Sequence, residues 1–193
     1  MNEKTLQTLE FNKIRAALAA FAGFSASAEL AMKIRPTRDI TLAHTWQRQT
    51  SEARRLLASN MEISLSGMAD IRRQCDLAAR GGILPPEDFL LIKQSLILAR
   101  DTLRQLEKHQ ADLPEIMQVV SGLQIPSGII EQISKCISDH GDILDQASDR
   151  LSEIRREVKI CHDRLLAKLE RMINDPRQSP MLQEPIITQR DGR

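Results

Sequence analysis

The stretch SDRLSEIRREVKICHDRLLAKLERMIN, residues 148–174, decides the fold. Leu151, Ile154, Val158, Cys161, Leu165, Leu169 and Met172 recur every three or four residues, the spacing that lines one side of an α-helix and packs a long helix against another. Ser148 is suited to cap its first turn. About 26 residues at 1.5 Å each give a rod of roughly 40 Å, long enough to carry displacement between distant sites.

Working back toward the start, helical periods fill most of the chain. Phe11, Ile14, Leu18 and Phe21 predict one helix from Lys4 to Phe21, ended by Gly23. Ser25 or Ser27 is expected to cap a second helix that Pro36 stops, and Asp39 a third with Leu42, Trp46, Ala53 and Leu57 inward. A loop over 60–69 precedes a helix capped by Asp70. Gly81 and Gly82 close it, and Pro85-Pro86-Glu87-Asp88 opens the next with a dipole-matched first turn. Phe89, Ile92, Leu96, Ala99, Leu103 and Leu106 mark that helix. Two shorter apolar segments follow, around Leu113–Val120 and Ile129–Ile137. Ser138–Ser148 is rich in turn formers and predicts a short hairpin or an irregular bend.

Beyond the long helix the character changes. Glu184-Pro-Ile-Ile-Thr-Gln189 is β-prone and leads into Asp191-Gly192, a favoured hairpin turn, with only Arg193 after it. A lone strand leaves its backbone groups unpaired, so the polypeptide is expected to continue past Arg193. The predicted fold class is all-α: an irregular multi-helix core with a long C-terminal helix and a short terminal β-strand. Residues 1–147 form the expected helical core domain, and 148–193 the long helix and the beginning of a second domain.

The 193 residues carry 27 Lys plus Arg against 26 Asp plus Glu, a net charge of +1. That balance excludes binding to nucleic acid by bulk charge, but leaves room for a local basic stripe. Four Phe, no Tyr and the single Trp46 argue against a β-sandwich or a base-stacking module. Three cysteines are too few for a disulfide framework, and no apolar run reaches the roughly 18 residues of a membrane span. A reducing, cytoplasmic setting is the expectation, with no membrane partner.

Sites of chemistry are sparse. No phosphate-cradling G-x-x-x-x-G-K-[ST] loop and no dinucleotide fingerprint occurs. Cys136 with His140 and Cys161 with His162 suggest zinc, but CxxC pairs are absent and both cysteines fall on apolar stripes, so buried thiols are the better reading. Asp139, Asp142, Asp145 and Asp149 lack the alternation and closing Glu of a calcium loop and read as turn and cap residues. None of the four histidines has a Ser or Cys neighbour arranged by motif as a nucleophile, so no catalytic residue is expected. Along residues 150–171 seven basic side chains alternate with acidic ones, as on an ordinary solvated face.

Four segments together carry a resemblance: Leu9-Glu-Phe-Asn-Lys-Ile14, Arg80-Gly-Gly-Ile-Leu-Pro-Pro-Glu-Asp88, Gly141-Asp-Ile-Leu-Asp-Gln-Ala-Ser148 and Leu182-Gln-Glu-Pro-Ile-Ile-Thr-Gln-Arg-Asp-Gly-Arg193. In this order they resemble the N-terminal region of the second-type MutS proteins, bacterial relatives with a C-terminal Smr nuclease domain. Asn12 and Gln146 depart from the more usual Asp and Ser. The resemblance implies the MutS lever followed by the first strands of a clamp. It matches the absence of a Phe-x-Glu mismatch-reading wedge.

For a whole protein of this type the resemblance implies a homodimeric, DNA-binding ATPase that uses ATP and Mg, suppresses recombination at branched DNA and carries endonuclease activity in its Smr domain. The rival expectation is a ribosome-docking scaffold, contacting rRNA, of a factor that splits stalled or collided ribosomes. Neither catalytic, cofactor-binding nor metal residues are carried onto this chain. The candidate nucleic-acid contacts are Arg155, Arg156, Lys159, Arg190 and Arg193.

Overall fold

In the computed structural model, whose described residues are 3–59, 65, 67–177 and 187, the expected opening helix is two helices. α1 covers Glu3–Thr8 and α2 Phe11–Ala19. Glu10 breaks the run with φ 53°, the left-handed region. An L-residue there costs roughly 1–2 kcal/mol. Local bonds hold the joint: the Glu10 N–H donates to the Gln7 carbonyl, its carbonyl accepts from Lys13 N–H at 2.8 Å, and its carboxylate meets Lys13 Nζ at 2.7 Å. Periodicity continues across such a joint, so it is invisible to a pattern reading.

α3, Ser25–Lys33, packs on α2. Neither serine caps it: Ser25 donates to Asp70 Oδ2 at 3.0 Å, and Ser27 to the Phe24 carbonyl. α4 spans Ile40–Ala58, and Asp39 caps it by accepting from the N–H groups of Thr41 and Leu42 at 2.8 and 3.2 Å. α5, Arg72–Ala79, begins two residues after Asp70, which accepts from Arg72 N–H instead of capping a helix of its own. It closes as expected at Gly81, φ 75°, with Gly81 N–H on the Ala78 carbonyl and Gly82 N–H on that of Leu77. α6, Pro86–Lys108, opens on its proline with Glu87 and Asp88 in the first turn. α7 (Pro114–Val120) and α8 (Ser127–Cys136) both pack on α6.

A bend over residues 138–142 follows, closed by Ser138 N–H on the Asp142 carbonyl at 2.8 Å. The Ser138 hydroxyl accepts from the N–H groups of His140 and Asp142, and Gly141 takes φ 90°. A 3-10 turn at Asp145–Ala147 leads into α9, Asp149–Asn174. The fold is all-α, and no strand occurs among the described residues. The expected strand over 184–189 lies outside them, Ile187 apart. Contacts divide the chain into two units, Met1–Asp142 and Ile143–Arg193.

The inward face of α4 differs from the sequence expectation. Leu42, Trp46 and Leu57 are exposed, and the buried residues are Glu52 and Leu56. Leu56 joins Leu106 and Leu113 in a core, with Ile116, Met117 and Val120 against it. Beside it, Glu52, 3% exposed, caps a different helix. Its two oxygens accept from the N–H groups of Glu115 and Ile116 at 3.2 and 2.9 Å. α7 begins Leu113-Pro114 and has no capping side chain of its own. Arg48 pairs with Glu115, and Arg55 donates to the Asp112 carbonyl at 3.3 Å, so three α4 side chains hold the α7 entrance.

A second fastener joins α3 to the start of α5. The Arg72 guanidinium forks onto both Glu29 oxygens at 3.0 and 2.9 Å and also pairs with Asp70. The hydrogen bonds from Arg72 hold both carboxyls below their ordinary values of 4.5 and 3.8. Lys93 on α6 does the same for Asp139 in the bend, at 2.6 Å.

Two outcomes follow from these fasteners. Glu52→Ala leaves two α7 donors unpaired and lowers stability by about 1–3 kcal/mol, while Glu52→Gln, keeping one acceptor, loses about half as much; urea unfolding reads both. Depressed carboxylate pKa values stabilise above the unfolded values and are lost as pH falls through the folded ones. The gap in urea midpoint between the native chain and Arg72→Ala is therefore widest near pH 7, and narrows progressively below pH 4.5.

Candidate nucleic-acid interface

α9 is built as its sequence dictates. The Ser148 hydroxyl accepts from Leu151 N–H at 3.1 Å, Asp149 sits in the first turn and Arg171 in the last, each favourable to the helix dipole. The helix runs 26 residues without a break. Arg155 reaches back to Asp145 at 2.5 Å, tying the 3-10 turn to the second turn of the helix. Arg150 pairs with Glu153 at 3.4 Å.

Those pairings sort the candidate contacts. Arg155 is exposed but already neutralised by Asp145. Arg156 and Lys159 are exposed, and neither has an ion pair among the described residues. The i, i+4 spacing stacks Lys159 above Arg155, with Arg156 on the neighbouring row, so three cations occupy one flank within a turn. Arg190 and Arg193 lie outside the described residues. Arg164, Lys168 and Arg171 are likewise exposed, toward the far end of the helix.

The apolar seam is where expectation and structure part. No residue of α9 is buried, and Val158 is 63% and Leu165 54% exposed. Periodicity reports that a face is apolar; it says nothing of what covers it. Cys161 is exposed and Cys136 half-buried, so neither is the buried thiol the stripes suggested. No group of three or more His, Cys, Asp and Glu able to hold a metal occurs among the described residues. Asp139, Asp145 and Asp149 serve an ion pair to Lys93, an ion pair to Arg155 and the first turn of α9.

Sequence reasoning missed Glu52, Arg72 and the half-buried Lys93. The signal for Glu52 was present in two halves: an acid four residues before Leu56 on the apolar side of α4, and a helix opening on Leu-Pro with no cap. No local rule pairs residues 63 positions apart.

A long, capped helix with no buried residue and, among the described residues, two cations without an ion pair on one flank defines a helical scaffold class. No protein-family model matches the chain. Over its whole length it is 35% identical to the "Endonuclease MutS2" of Symbiobacterium thermophilum and 34% to that of Thermomicrobium roseum. It is 29% identical to the "Putative endonuclease MutS2" of Bacillus subtilis. The chain is similar to these MutS2 proteins along the whole of its own length, and spans about a quarter of theirs, 24% for the first two. No helix among the described residues is long and apolar enough to cross a membrane.

Removing the Ser148 hydroxyl tests how α9 is nucleated. Ser148→Ala is expected to cost about 1 kcal/mol, read as faster hydrogen exchange at the Leu151 amide and its neighbours, with the exchange of α4 and α7 unchanged.

Proposed function

We propose that this chain is the lever and clamp base of a MutS-type, DNA-binding ATPase acting on branched DNA. α9 is the arm that leads to the clamp. In this reading residues 1–147 are the helical lever domain and 148–193 the long helix with the start of the clamp. The observation that carries the proposal is the unbroken α9 with Arg156 and Lys159 exposed on one flank and without an ion pair among the described residues. The similarity of the whole of this chain to about a quarter of a MutS2 sequence supports it. ATP and Mg would act elsewhere in the whole protein, since this chain has no phosphate loop to cradle a triphosphate. The chain's part is mechanical: a stiff helix displaced as a rigid body changes the opening of whatever it carries. Dimer formation, suppression of recombination and a cytoplasmic setting belong to the same proposal.

Contacts to phosphate are independent of base sequence and sensitive to salt. Binding of a four-way DNA junction, followed by fluorescence anisotropy across a salt series, is expected to weaken steeply as salt rises. Replacing Arg156 and Lys159 together with Ala should make the slope of log K against log salt shallower by about 2. Arg155→Ala should change it less, because Asp145 already holds that charge. Salt-independent indifference to DNA, together with co-sedimentation with ribosomes, would replace this reading by the ribosome-docking scaffold.

A further inference from the structure

An open groove of about 650 Å³ lies where α2, the α3–α4 connection and α4 meet. Two of the chain's five aromatic residues line it, Phe11 and the single Trp46. Trp46 is 43% exposed, so much of its ring is open to solvent. Ile34 adds an apolar wall. Arg35 and Arg54 supply two guanidiniums, and no carboxylate is among the lining residues. Arg35 is shared with Glu3 at 3.0 Å, while Arg54 has no partner among the described residues. The side-chain amide of Gln47, also in the lining, makes no hydrogen bond among them.

These groups want complementary things from one ligand. An exposed indole is satisfied by a flat ring stacked on it, a free guanidinium by an anion and a free amide by a polar ring edge. A phosphate alone satisfies only the second, and an aliphatic chain only the first. We propose that the groove binds a nucleotide, stacking its base on Trp46 with its phosphate on Arg54 and its base edge on Gln47. The ligand is a free nucleotide or one unit of a single strand. The groove offers no carboxylate for Mg and no Gly-rich loop, so it suits a monophosphate or a phosphodiester. Composition argued against a stacking module because aromatics are few; folding brings two of them, 35 positions apart, to one surface.

Trp46 is its own reporter. Titrating the chain with adenosine 5′-monophosphate, and separately with a ten-residue oligothymidylate, is expected to quench its fluorescence saturably, while inorganic phosphate does not. Arg54→Ala should weaken the binding about tenfold, as should Trp46→Leu read by calorimetry, with the circular dichroism of both unchanged. Changing Arg156 and Lys159 together to Ala should leave the quenching by the mononucleotide intact, which separates this site from the α9 contacts. Tighter binding of the oligomer assigns the groove to a strand, and equal binding per nucleotide to free nucleotide; either supports it. No saturable quenching by either probe, quenching equally produced by phosphate, or binding indifferent to Arg54→Ala overturns it.

Discussion

A carboxylate buried between two helices sets the arrangement of the larger unit. Glu52 leaves water almost completely, which an isolated charge cannot afford. It is tolerated because it faces the positive end of α7 and takes both of the N–H groups that α7 leaves open. The two needs are reciprocal: α7 lacks a cap, and α4 has an acid with no other outlet. Their meeting fixes the register of α4 on α7 and thereby brings Leu56 to Leu113, which is 1% exposed. Arg48 and Arg55 lie beside it at the same entrance, one on Glu115 and one on the Asp112 carbonyl.

Polar fasteners of this kind recur because apolar burial is thin. The core cluster holds three buried leucines, of which only Leu113 is sealed completely, and α2, α5 and α7 have no buried residue. Segments distant in sequence are joined by directional bonds instead. Arg72 ties α5 to α3, Lys93 ties the 138–142 bend to α6, and the buried Ser95 hydroxyl accepts from Ala69 N–H at 3.2 Å. Directional bonds specify one geometry where a few leucines would accept several. The larger unit is thus pinned at points and not glued across surfaces.

Local rules read the elements well. Ser148, Asp39 and the Gly81-Gly82 closure stand where capping chemistry puts them, because each is decided within four residues of sequence. Capping chemistry did not decide every start, since Ser25, Ser27 and Asp70 bond elsewhere, and two further kinds of failure stand beside these. Glu10 broke a helix whose apolar period was continuous, since a left-handed residue shifts direction without disturbing spacing. Glu52, Arg72 and the face of α4 depend on partners tens of residues away, which no window contains. For the interface, helical spacing alone placed Arg155, Arg156 and Lys159 together. Only coordinates separated the first, already paired with Asp145, from the other two.

The uncovered seam of α9 gives the chain a surfactant's anatomy, oily along one side and charged along the other. A kosmotropic salt such as sulfate then acts in opposite directions on the two sides, screening the arginines while strengthening the association of leucines. A helix of that anatomy is expected to self-associate more readily in concentrated sulfate than in dilute, low-salt buffer.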